Sequence, residues 1–161
     1  MSNDVLSLWF PEVKAPAETP QAILRAQADE LAKLTNGILI GNVQQWPDEE
    51  DKLKITLEII APELYDDSRF RILSVQHDRL MPYPAFIDAE VFRLKGLAAF
   101  ATVASELTGD RKKPENRADD DPEFRDLLKK VLHSPAVKAL VSSLRSRVTE
   151  QRKALTAGAP A

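Results

Sequence analysis

From Leu53 to Ile59 the chain alternates without a break. Leu53, Ile55, Leu57 and Ile59 are apolar, and Lys54, Thr56 and Glu58 stand between them. A period of two marks a strand with one face buried and the other in water, and Pro62 ends it. Residues 38–45 read as a strand ahead of it, bounded by Trp46-Pro47 and the acidic run Asp48-Glu49-Glu50-Asp51. Beyond the turn-rich Tyr65-Asp66-Asp67-Ser68, residues 69–76 form a third strand, His77-Asp78-Arg79 a turn and residues 84–88 a fourth strand. Connections this short favour an antiparallel meander.

Helical spacing takes over on either side. Thr19-Pro20 opens a helix, because threonine caps free amides and proline at the first helical position loses no hydrogen bond. Ile23, Ala26, Leu31 and Leu34 supply its apolar stripe, and Asn36-Gly37 ends it, glycine tolerating the left-handed cap. Near the other end, Asp121-Pro122-Glu123 starts a helix with Phe124, Leu127, Leu128, Val131 and Leu132 on one face. Ser134-Pro135 repeats the device for Val137, Leu140, Val141, Leu144 and Val148, and so short a break predicts a helical hairpin. Residues 90–108 fit either period and are read as further strand, and residues 109–121 as a charged loop. The expected fold is therefore α+β: an N-terminal helix, an antiparallel meander of four or more strands and a C-terminal helical hairpin. Residues 1–18 form an N-terminal arm, residues 19–153 a single domain and residues 154–161 a frayed tail.

Composition narrows the function. The chain has 161 residues, 43% hydrophobic and 29% charged. A domain of this size buries roughly 70% of its unfolded surface and needs no metal or disulfide to fold. It has no cysteine, which removes thiolate catalysis and thiolate metal ligation. No apolar run reaches the roughly 18 residues of a membrane span, and Met-Ser-Asn-Asp at the start carries no leader-like apolar core. A cytoplasmic protein is expected. The net charge of −3 works against nucleic-acid or anionic-membrane binding, so nucleic acid is an unlikely partner and a membrane is not expected.

Searches for chemistry return little. The two histidines, His77 and His133, fit no paired metal-ligand spacing. The acidic runs lack the spacing of a calcium loop. The glycines form neither a dinucleotide fingerprint nor a phosphate loop, so no cofactor is expected. Ser74 lies three residues before His77, which on a strand points the two side chains to opposite faces. His77-Asp78 resembles the paired metal ligands of HD-type phosphohydrolases, a helical fold whose further histidines and aspartates are missing here. If a catalytic site exists, His77, Asp78, Arg79 and Tyr83 line one end of the sheet, with histidine titrating near neutral pH.

Thr19-Pro20-Gln21-Ala22-Ile23-Leu24, Leu34-Thr35-Asn36-Gly37, Ile60-Ala61-Pro62, Phe70-Arg71-Ile72-Leu73, Tyr83-Pro84 and Glu123-Phe124-Arg125-Asp126-Leu127-Leu128 together resemble a group of small bacterial proteins of no assigned activity. Those share an opening helix, a curled antiparallel sheet and a closing helix. The resemblance spans scattered matches over about half the chain and departs from it at residues 90–120. It implies the fold and no catalysis.

Three functions follow as expectations. The first is a non-enzymatic interaction or regulatory module with a protein partner, itself or another. Trp9 and Phe10 are its candidate contact residues, since exposed aromatics anchor partners, although an arm docked on its own domain is the favoured reading of the pair. The second is a small hydrolase using His77 with nearby acidic groups, marked by a pocket holding both. The third is a nucleic-acid binder through Arg145, Arg147, Arg152 and Lys153.

Overall fold

The computed structural model describes residues 17–64, 68–90 and 116–158. Trp9, Phe10 and the ambiguous stretch beyond Glu90 lie outside the described residues.

Chain order is α1 (Pro20–Leu34), β1 (Ile40–Pro47), β2 (Lys52–Ala61), β3 (Ser68–Asp78), β4 (Ala85–Asp88), β5 (Arg117–Ala118), α2 (Asp121–Leu132) and α3 (Pro135–Ala157). The strands make one sheet in sequence order, each antiparallel to the next. This is the expected α+β meander with an opening helix and closing helices.

Two of the three described helices start on the cap read from the sequence. The Thr19 hydroxyl accepts from the Ala22 amide, and the Ser134 hydroxyl from the Val137 amide. In α2 the cap is Asp120 rather than Asp121, its carboxylate accepting from the Glu123 amide. At the end of α1, Asn36 and Gly37 both take positive φ, 51° and 78°. Just before them, the cap residue Thr35 is buried. Its hydroxyl lies 2.8 Å from the Leu31 carbonyl and accepts from the Leu39 amide at 3.1 Å.

Alternation in β2 sends Ile55, Leu57, Ile59 and Ala61 into the core. Register carries the same face across the sheet through Val75, Leu73 and Ile87, up to Ala85 and Ala118. A bulge opposite Leu57 puts both Ile72 and Leu73 at full burial, since the extra residue of a bulge breaks strict alternation. One hydrophobic cluster joins this face to Ile23, Leu24 and Ala28 of α1, Phe124 and Leu128 of α2, and Leu140, Leu144 and Val148 of α3. Gly41 permits the closest approach. A Cβ there would stand 2.5 Å from the Ala28 Cβ, so α1 lies directly on β1.

Several expectations need correction. β1 runs two residues later than expected and includes Trp46 and Pro47. His77 and Asp78 finish β3 instead of forming a turn, because Leu53 and Lys52 pair with them across β2. Arg117 and Ala118 pair with β4 inside the stretch read as loop. Ala26 and Leu34 do not belong to the buried face of α1, which runs through Pro20, Ile23, Leu24 and Ala28. Helix α3 continues through Ala154 to Ala157, where a frayed tail was expected. The outer face of the sheet is polar but not uniformly wet, since Thr56 is fully buried on it. Phe86 is a partly exposed residue of that outer face.

Candidate functional site: an apolar groove with a cationic rim

Exposed Leu34 marks the place where the core is left uncovered. Helix α1 ends with Leu31 half-buried and Leu34 71% exposed. Opposite them, the junction of α2 and α3 presents Leu132, Val137 and Val141. Between the two walls lies a hollow of about 230 Å³, floored by Leu57 and Ile59 of the sheet. A second hollow of about 290 Å³ adjoins it through Gln27, Leu132 and His133, and a third of about 690 Å³ through Leu132, Val137 and Val141. The three form one groove running from α2 along the outer side of α3.

The groove's edges are charged. Lys129, Lys138, Arg145 and Lys153 line it, are exposed, and have no ion-pair partner among the described residues. Arg125, at the far end, binds the Glu18 carboxylate at 2.8 Å. Among the described residues, Glu30 and Glu150 are the carboxylates of the same lining. In a chain of net charge −3, cations thus line the two hollows that adjoin the apolar one, whose own lining carries Glu30.

Helix geometry splits the basic cluster that suggested nucleic-acid binding. Arg145 and Lys153 share the groove side with Lys138 and Thr149. Arg152 turns to the β2–β3 connection and makes a bidentate pair with Glu63, whose backbone carbonyl also accepts from Gln151. Hydrogen bonding from Arg152 holds the Glu63 carboxyl below the usual carboxylate range. This pair is a tether for α3.

His77, Asp78 and Tyr83 do three separate things. His77 points to the core side of β3, is buried, and donates from Nδ1 to the Asp78 carbonyl at 2.6 Å. Asp78 accepts from the Leu80 amide at 2.9 Å, forming a local turn. Tyr83 donates to the Glu18 carbonyl at 2.6 Å and sets its ring edgewise against Phe124. Burial raises the Tyr83 hydroxyl to about 12, with the Asp121 carboxylate adding to the effect. No hydrogen bond joins His77 to Tyr83 or to the Asp78 carboxylate among the described residues. His77 lines neither the groove nor the polar cavity on the opposite face of the sheet.

Among the described residues, no group of three or more acidic or histidine side chains is placed to hold a metal ion. No described helix is long and apolar enough to cross a membrane. Beyond the groove, Leu80 and Met81 project from the β3–β4 connection, 88% and 61% exposed, but two side chains on one tip do not make a cleft. Leu132, Val137 and Val141 were legible as apolar helix positions; the gap between them and Leu31 was not, because it depends on how far apart the helices sit. No protein-family model, curated protein or solved structure matches this chain.

Proposed function

We propose that the protein is a non-enzymatic interaction module whose groove receives an acidic, amphipathic segment of a partner protein. The observation that supports this reading is an apolar hollow continuous with two neighbouring hollows lined by Lys129, Lys138, Arg145 and Lys153, which have no ion-pair partner among the described residues. Apolar area drives association roughly in proportion to the surface removed from water. Complementary rim charge adds encounter rate and selects against basic partners. A helix laid into a groove with apolar anchors on one face and carboxylates on the other satisfies both. Nucleic acid meets the same cations but gains nothing from Leu34, Val137 and Val141.

The test is affinity isolation with three proteins: the wild type, Leu34→Asp, and the double variant Lys138→Glu with Arg145→Glu. All three positions are exposed or at the rim, so unfolding midpoints stay at the wild-type value. The expected result is a stoichiometric partner recovered by the wild type, weakened by salt and lost with both variants. A monodisperse monomer with no stoichiometric partner, or one retained by both variants, contradicts the reading.

A further inference from the structure

A second, chemically different hollow lies over the other face of the sheet. Register lays one residue from each of five strands in a row on that face: Trp46, Lys54, Gln76, Phe86 and Arg117. The next row contains Thr56, Ser74 and Asp88. A cavity of about 390 Å³ opens over these rows, lined by Asp48, Lys54, Ser74, Gln76, Phe86 and Asp88 among others. Its volume is in the range of small-molecule sites.

Ser74 is buried at 6% exposure on the cavity wall. Lys54 is half-buried and has no ion-pair partner among the described residues. Asp48 accepts from the Gln76 amide at 2.8 Å, which fixes its carboxylate at the wall.

We infer that this cavity binds an α-amino acid with an apolar side chain. The ligand's carboxylate meets Lys54, its ammonium meets the Asp48 carboxylate, and its side chain lies against the Phe86 ring. A simple anion faces Asp48 and Asp88, and a simple cation faces Lys54. A zwitterion satisfies both signs at once, and partly buried charges are stable only when paired. The partly exposed Phe86 ring offers an apolar surface beside these charges. This site is independent of the groove, since the two lie on opposite faces of the sheet.

Calorimetric titration of the full chain tests the inference, with L-leucine and L-phenylalanine as probes. N-acetyl-L-leucine lacks the ammonium, and L-leucinamide lacks the carboxylate. At least one amino acid binds at one site in the millimolar range or tighter and raises the unfolding midpoint. Each derivative, and each of Lys54→Met and Asp48→Asn, weakens binding by about tenfold or more, the loss of one charge-assisted hydrogen bond. Gln44→Ala, exposed on the same face, keeps wild-type affinity. The inference is overturned if neither amino acid binds, if the derivatives bind equally well, or if both charge variants retain wild-type affinity. Lys54→Met and Asp48→Asn each read one charge separately, so misfolding of one leaves the other decisive.

Discussion

Tyr83 shows how a residue that looks chemical at first sight acts structurally. Its hydroxyl ties the segment before α1 to the start of α2, through the Glu18 carbonyl and against Phe124. Burial favours the neutral phenol, raising it from 10.0 to about 12. A raised folded value means the stabilisation is complete below the unfolded value, shrinks as pH rises from 10 towards 12, and is then lost. In urea unfolding, Tyr83→Phe is therefore expected to cost about 0.5–1.5 kcal/mol at neutral pH, the worth of one hydrogen bond. The gap between the two proteins should close through the alkaline window; a gap that stays constant there contradicts the assignment. His77 was visible in the sequence as a candidate base, yet its environment was not. Register decides that it faces the core across from Leu53, and no local pattern encodes register.

At the scale of elements, caps were the most legible feature. Thr19-Pro20, the aspartates before Pro122 and Ser134-Pro135 act within four residues of themselves, so sequence alone determines them. Alternation in β2 was legible for the same reason. Strand ends were not, because β1 and β3 extend as far as their neighbours offer partners. Two element-level changes follow. Gly41→Ala pushes a methyl onto Ala28 and should destabilise by about 1–3 kcal/mol, as overpacking does. Adding Ala28→Gly should recover part of that loss; a purely additive double variant would mean that α1 does not lie against β1 at this point. At the β1–β2 hairpin, Glu50 and Asp51 both have positive φ, 57° and 59°, the backbone that Asn-Gly serves best. Replacing the pair by Asn-Gly should raise stability by about 1 kcal/mol, read from chemical denaturation; a loss of stability would contradict this turn geometry.

The whole molecule is a sheet with two unlike faces. Among the described residues, one carries α1, α2, α3 and the core, and is left open along Leu31, Leu34, Leu132, Val137 and Val141. The other carries polar rows. Composition and periodicity made the layers legible, since they count how much apolar surface must be covered. They said nothing of where the cover is incomplete, because helix spacing is set by long-range packing such as Gly41 against Ala28. The cationic rim was half visible, as a basic cluster on α3, but only three dimensions separate Arg152, bound to Glu63, from Arg145 and Lys153 at the groove. The most direct measurement of the groove's role is a methyl NMR titration with a peptide helix bearing leucines on one face and glutamates on the other. The account predicts that the methyls of Leu34, Leu132, Val137 and Val141 shift together, saturate, and weaken in response as salt rises. If those methyls stay unmoved in the folded protein while others shift, or if nothing shifts at all, the groove is not a docking site.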